Sequence, residues 1–139
     1  MKKLPTDLQI LNAIYNQCYN QFMAFSKNNP DRSAKNFTPI DIEQIAKRFG
    51  VDIDIIFGRL YYHLEQKYGY KRSDNTKVAF FTLQAGVDIN CINFPYMASV
   101  LANLQDREKK YSIPTKITIF SLIIAGLSLL VSILILKSG

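Results

Sequence analysis

The chain holds no tryptophan, a single histidine (His63) and two cysteines, Cys18 and Cys91, among its 139 residues. A lone imidazole has no second one with which to share a metal, and Glu65 stands at the wrong helical offset to join it, so no metal site is expected. Arg59 and His63 enclose three residues without a second such segment, too little for a ribonuclease motif. Two isolated cysteines lack zinc-ligand spacing and read as small core residues on the reducing side of a membrane, unpaired. Glycine is sparse, at six, and nowhere clusters into a phosphate-cradling loop. With no nucleophile elbow and no carboxylate cluster, neither catalysis nor a cofactor is expected.

The most telling absence is of charge. Ile117 to Leu136 contains no ionisable side chain and is built on six Ile, six Leu, Val131 and Phe120 between Lys116 and Lys137. A helix of about twenty residues at about 1.5 Å rise matches the roughly 30 Å hydrocarbon thickness of a bilayer. Only Ser138 and Gly139 follow, so a tail anchor is expected, single-pass in the cell (inner) membrane. Arg107, Lys109, Lys110 and Lys116 lie on its N-terminal side against Lys137 beyond it, which places the N-terminal part in the cytoplasm by the positive-inside rule. Lys2 and Lys3 are followed by no apolar core or cleavage site, so no secretory signal is expected. Setting aside Lys116 and Lys137 leaves 15 cations against 11 acidic residues, a net charge of +4. Three of those cations stand next to the membrane, where anionic headgroups attract them.

The remainder is long enough for one small core and too short for two. We read a domain over 1–94, a connecting helix and juxtamembrane linker over 95–116, and a transmembrane helix over 117–136. Thr6 is expected to cap a first helix reaching about Lys27, with Leu8, Leu11, Ile14, Tyr15, Cys18, Phe22 and Phe25 on one face. A polar loop from Asn28 to Asn36 follows. Thr38 is expected to cap a second helix with Pro39 first and Asp41 as the capping-box acid, its inner face Ile42, Ile45, Ala46 and Phe49 and its end Gly50. Asp52 should cap a third, with Ile53, Ile56, Phe57, Leu60 and Leu64 inward and Gly69 at its close. Strands are expected over Tyr68–Arg72 and Lys77–Leu83 around a Ser73–Thr76 turn. Gln84 to Phe94 reads as a loop with one short strand near Val87 to Ile92. A fourth helix from Pro95 to about Lys110, with Met97, Val100, Leu101 and Leu104 inward, should stop at Ser112–Thr115, since Pro114 disfavours helical geometry before it.

Helix, loop, helix, tight turn, helix, hairpin resembles the winged helix-turn-helix superfamily. The resemblance covers Thr6 to Leu83 and rests on Thr38 through Ala46, on Phe49-Gly50-Val51, and on the hairpin from Lys71-Arg72 to Phe81. It implies an α+β fold of three helices and a hairpin, here joined to a fourth helix and a transmembrane one. It also implies that the third helix would enter a DNA major groove and read bases from its exposed N-terminal half. Such reading calls for Arg, Lys, Asn, Gln, Ser or Thr. The stretch is instead Asp52-Ile53-Asp54-Ile55, whose carboxylates would meet phosphates. The outward set, Ile55, Arg59, Tyr62 and His63 beside Gly58, suits a protein contact, where aromatic and Arg side chains are enriched. Lys71, Arg72 and Lys77 keep a phosphate contact open, and nucleic acid ranks below a cytosolic protein as partner.

Inside the anchor, Thr118, Ser121, Ala125, Ser128 and Ser132 recur at three, four, three and four. Small residues on one face let membrane helices approach and share hydrogen bonds, and a seven-residue repeat favours left-handed self-association into a homo-oligomer. The architecture looks like that of small membrane effectors accompanying bacterial antiphage defence modules. The alternatives are a membrane-tethered DNA-binding regulator and a membrane adaptor recruiting a soluble enzyme.

Overall fold

The structure, a computed structural model, describes residues 3–26 and 30–138, and the side chains of all of these except 112–117 and 138. The expected polar loop therefore lies partly outside the described residues, at Asn28 and Asn29, as does Lys27. The described chain is mixed helix and strand, and it divides into two compact units, Met1–Ala102 and Asn103–Gly139.

In the first unit, α1 (Asp7–Ala24) opens on a reciprocal cap. The Gln9 amide donates to Thr6 Oγ1 at 3.3 Å and the Thr6 amide donates to Gln9 Oε1 at 2.9 Å. Leu11, Ile14 and Cys18 of its expected face are buried, with Ile10 and Ala13 beside them. Burial pushes the Cys18 thiol up to about 12, partly offset by Arg32, and burial followed by the Asp88 carboxylate raises that of Cys91. Both cysteines are free and buried.

The start of the second helix differs from expectation. Phe37–Pro39 forms strand β1, with Thr38 fully buried, and α2 runs Ile42–Phe49. Its cap is Asp41, whose Oδ1 accepts the Gln44 amide at 2.9 Å. A strand wins here because β1 lies at the sheet edge, where the missing N–H of Pro39 costs nothing. Gly50 ends α2 in the left-handed region at φ 60°, which glycine enters without a Cβ clash.

The third helix has three parts: α3 (Ile53–Gly58), a π-helical turn (Arg59–Leu64) and α4 (Glu65–Tyr68). Asp52 caps it as expected, accepting the Asp54 amide at 2.9 Å. Ile56, Leu60 and Leu64 are fully buried at strict four-residue spacing. Such a repeat precesses around an α-helix of 3.6 residues per turn, and the wider i→i+5 turn holds all three on the core line. Ile53, expected inward, is exposed, because it stands one turn ahead of that line.

The strands are also redistributed. β2 (Tyr70–Lys71) and β3 (Lys77–Val78) form a minimal antiparallel pair around the expected turn, where Asp74 Oδ1 accepts the Thr76 amide at 2.9 Å and its hydroxyl at 2.6 Å. The expected Lys77–Leu83 strand breaks at Ala79–Phe80 because Glu65 takes the next amides: Phe80 and Phe81 N–H both donate to its Oε2, at 2.7 and 2.8 Å. β4 (Phe81–Ala85) and β5 (Asp88–Asn93) then make a longer hairpin, turning at Gly86 (φ 65°), in the stretch read mostly as loop. The three-stranded sheet has the order β1-β5-β4 and is antiparallel, with Thr38 opposite Ile92 and Thr82 opposite Cys91.

Helix α5 is assigned over Phe94–Ser138. Its first turns belong to the first unit: Phe94, Met97, Val100 and Leu101 are buried, and the Phe94 ring stacks on Phe22 and Tyr15 at 4.6 and 5.5 Å. The compact unit consequently extends to Ala102 and not to residue 94. The expected stop at Ser112–Thr115 is absent from the backbone, and the side chains there lie outside the described residues. Proline removes one rung of the helical ladder and leaves the neighbouring turns to hold the helix. In the second unit, Thr118–Lys137 is long and apolar enough to span a membrane.

Candidate functional site

A groove on the first unit lies between the third helix and the β2–β3 hairpin. It holds about 540 Å³ and is lined by Tyr61, Tyr62, Glu65, Gln66, Gly69, Tyr70, Lys71 and Lys77. Tyr61 and Tyr62 meet edge to face at 5.0 Å. Phe57 backs Tyr61 in a stack at 5.5 Å, while Tyr62 is 69% exposed. Across the groove, Tyr70 is buttressed edge-on by Tyr96 at 6.0 Å, and the Tyr96 hydroxyl donates to the Tyr68 carbonyl at 2.9 Å. The Glu65 carboxylate forms the floor, held on one side by the Phe80 and Phe81 amides and on the other by Lys77 Nζ at 2.9 Å from Oε1. Gly69 permits this closeness, since a Cβ there would meet the Glu65 carbonyl oxygen at 2.6 Å.

The expected partner-binding residues separate into two sets. Ile55 and Tyr62 are exposed. Arg59 and His63 turn instead onto Asp7 at the start of α1: Arg59 Nε–H donates to Oδ1 at 2.6 Å, and His63 Nε2 and Lys67 Nζ lie 3.4 and 3.5 Å from Oδ2. Their four-residue spacing on one helix face was the available sign of a shared anion. Burial raises the Asp7 pKa, but the hydrogen bond and charge of Arg59, then His63 and Lys67, outweigh it, and the carboxyl is held below its ordinary range. A depressed carboxylate contributes stability above its unfolded pKa and loses it as pH falls through the folded value. Asp7→Asn should thus cost about 1 kcal/mol at neutral pH, the partly exposed cations keeping the figure small. The gap to the parent should close below about pH 4. Urea denaturation at several pH values checks this, and a gap constant down to about pH 3 would assign Asp7 a role unrelated to its charge.

Of the expected phosphate contacts, Lys71 and Lys77 face each other in the β2–β3 register and line the groove. Arg72 is exposed in a neighbouring cleft with Phe37, Asp74 and Thr76, which Lys77 also lines. A further cleft, about 270 Å³, is lined by Ile40, Asp41, Ile42, Glu43, Ile53, Asp54, Phe57 and Asn90; of its three carboxylates, Glu43 pairs with Lys47 at 2.6 Å. Near it the sheet carries its most exposed apolar side chains, Val87 at 86% and Ile89 at 66%. Ser33 braces the hairpin tip, its amide donating to Asp88 Oδ2 at 2.7 Å and its Oγ accepting from Val87 N at 3.0 Å. The buried Arg32 ties down that bracing loop through the Gln21 and Lys35 carbonyls.

In the membrane-length helix, Ser128 Oγ donates to the carbonyls of Ile124 and Ala125 at 3.0 and 2.9 Å, and Ser132 Oγ to that of Ser128 at 2.9 Å. Thr118 and Ser121 are engaged as well. Within the single chain the hydroxyls of Ser128 and Ser132 thus bond back to carbonyls of their own helix.

Among the described residues no group of three His, Cys, Asp or Glu side chains is placed to hold a metal ion. Compared with protein-family models, with curated proteins and with solved structures, the chain gives no match in any of the three.

Proposed function

We propose that the chain is a single-pass membrane protein whose winged-helix-like domain, on the cytoplasmic side, engages a protein partner or an intracellular signal while its membrane helix self-associates. The observation that carries this reading is the chemistry of the face a winged helix would turn to DNA. The exposed start of the third helix offers Ile53, Asp54 and Ile55, and the hairpin beyond it offers Val87 and Ile89. Ile53 and Asp54 line a cleft together with Asp41 and Glu43, the last paired with Lys47. A phosphate backbone would meet negative charge and oil there, whereas a protein surface gains from covering exposed aliphatic side chains. The order of three helices followed by the short β2–β3 hairpin and the longer β4–β5 hairpin supports the winged-helix part. Arg107, Lys109 and Lys110 before the apolar helix support the cytoplasmic side. Self-association rests on the small-residue stripe from Thr118 to Ser132, and an effector acting on the membrane, of the kind that accompanies antiphage modules, is the use that combines both parts.

The test is made on the full chain in nanodiscs. Duplex DNA should bind weakly and without sequence preference at physiological salt, and Ser121→Leu, Ala125→Leu and Ser128→Leu together should abolish crosslinked oligomers while leaving insertion intact. A footprint on one defined sequence would replace this reading by the membrane-tethered regulator. Unchanged crosslinking would reduce the helix to a tether and favour the adaptor.

A further inference from the structure

The tyrosine-lined groove carries an arrangement that packing does not require. Lys71 and Lys77 are directly opposed in a ladder only two residues long, and like charges across a strand pair repel. Glu65 relieves Lys77 from below at 2.9 Å. Among the described residues, the Lys71 ammonium and the Gln66 amide that line the same groove have no side-chain partner. An anion lying between the two ammonium groups would turn the repulsion into attraction. Beside them stand aromatic faces held in place from behind: Tyr61 by Phe57, Tyr70 by Tyr96, with the Tyr62 ring bare toward solvent. The π turn creates this side of the groove. By keeping Leu60 and Leu64 both in the core, it leaves the consecutive Tyr61 and Tyr62 outside.

We propose that this groove binds a nucleotide, with a nucleobase stacked against Tyr62 and Tyr70 and its phosphate between Lys71 and Lys77. Planar bases stack on rigid tyrosines whatever their identity. Lysine receives phosphate as a point charge. A carboxamide such as that of Gln66 matches the paired donor and acceptor on an adenine edge. The volume of about 540 Å³ lies within the size of small-molecule sites. The Glu65 carboxylate does not oppose this, because two backbone amides and Lys77 already surround it. The same chemistry is offered by a free nucleotide and by a base of single-stranded nucleic acid. The inference rests on the reading of the domain as a receiver of an intracellular signal, and it gives that signal a chemical class.

Calorimetric titration of the full-length protein in nanodiscs tests it, with ATP, a short oligodeoxyadenylate and inorganic phosphate as probes. The tyrosine emission, unmasked by any tryptophan, gives a second readout. ATP or the oligonucleotide should bind and quench, and inorganic phosphate should bind at least about tenfold more weakly, lacking the base. Tyr62→Ala and Lys71→Ala should each weaken binding about tenfold or more, Tyr62→Phe should retain it, and Lys47→Ala, on the second helix and outside the groove, should leave it unchanged. Tighter binding of ATP assigns a free nucleotide; tighter binding of the oligonucleotide assigns a single strand. No binding by the folded parent protein, or binding that survives Tyr62→Ala and Lys71→Ala together, overturns the proposal. Either negative leaves the duplex and crosslinking results untouched, so failure here is separable from failure of the broader reading.

Discussion

Replacing Glu65 by alanine should lower the stability of the first unit by about 3 kcal/mol, more than any other substitution of a partly exposed residue in it. The carboxylate accepts two backbone amides, Phe80 and Phe81, at the point where chain leaving the β2–β3 hairpin enters the sheet. Hydrogen bonds to a charged group are worth about 1.5–3 kcal/mol, and a part-buried donor left bare costs about 1–3. Alanine would strip both amides at once and leave Lys71 facing Lys77 without a counter-ion. Glu65→Gln keeps one acceptor oxygen and should recover about half of the loss. Urea unfolding followed by hydrogen exchange at the Phe80 and Phe81 amides reads the effect directly. A loss below about 1 kcal/mol with those amides still protected would mean that another group holds the strand start.

The second large effect concerns the apolar helix. Leu127→Lys with Leu130→Lys should move the chain from the membrane pellet to the carbonate-soluble fraction. Each lysine near the centre of a span costs about 2.5–3.5 kcal/mol, and each leucine removed forfeits about half a kcal/mol more. The pair therefore withdraws about 7 kcal/mol from insertion. If the doubly substituted protein stays in the pellet after carbonate extraction, the helix does not cross the bilayer.

Three caps are legible in the sequence because their chemistry is local: Thr6, Asp52 and Gly50 act within one turn of themselves and do in the structure what their residue types predict. The misreadings share an opposite cause. Thr38-Pro39 has the form of a helix start, but Phe37–Pro39 pairs with Cys91–Asn93, far along the chain, and strand pairing of that kind overrides local propensity. The Lys77–Leu83 alternation was sound as a pattern and failed because a side chain from the preceding helix captured two amides. Tyr62, Lys71 and Lys77 were each singled out, yet Tyr61, Tyr70 and Gln66 were not. The groove that unites them depends on a π turn, and no residue type in Arg59–Leu64 announces one. Arg59 and His63 read as outward-facing from the sequence, which carries no sign that the anion both also contact is Asp7 of the same domain.

That π turn also bears on how this chain tolerates length changes. A π turn is an α-helix accommodating one surplus residue, and Arg59–Leu64 stores that surplus between Ile56 and Glu65, two side chains fixed by the core and by the strand start. Most one-residue deletions in a packed helix rotate everything beyond them off its face. A deletion inside Arg59–Leu64 instead has an ordinary α-helix to fall back on, with its ends still in register. The residue given up would come from the exposed side, where Tyr61 and Tyr62 stand. The third helix thus contains one place where the chain can shorten without unfolding, and shortening there trades groove for helix.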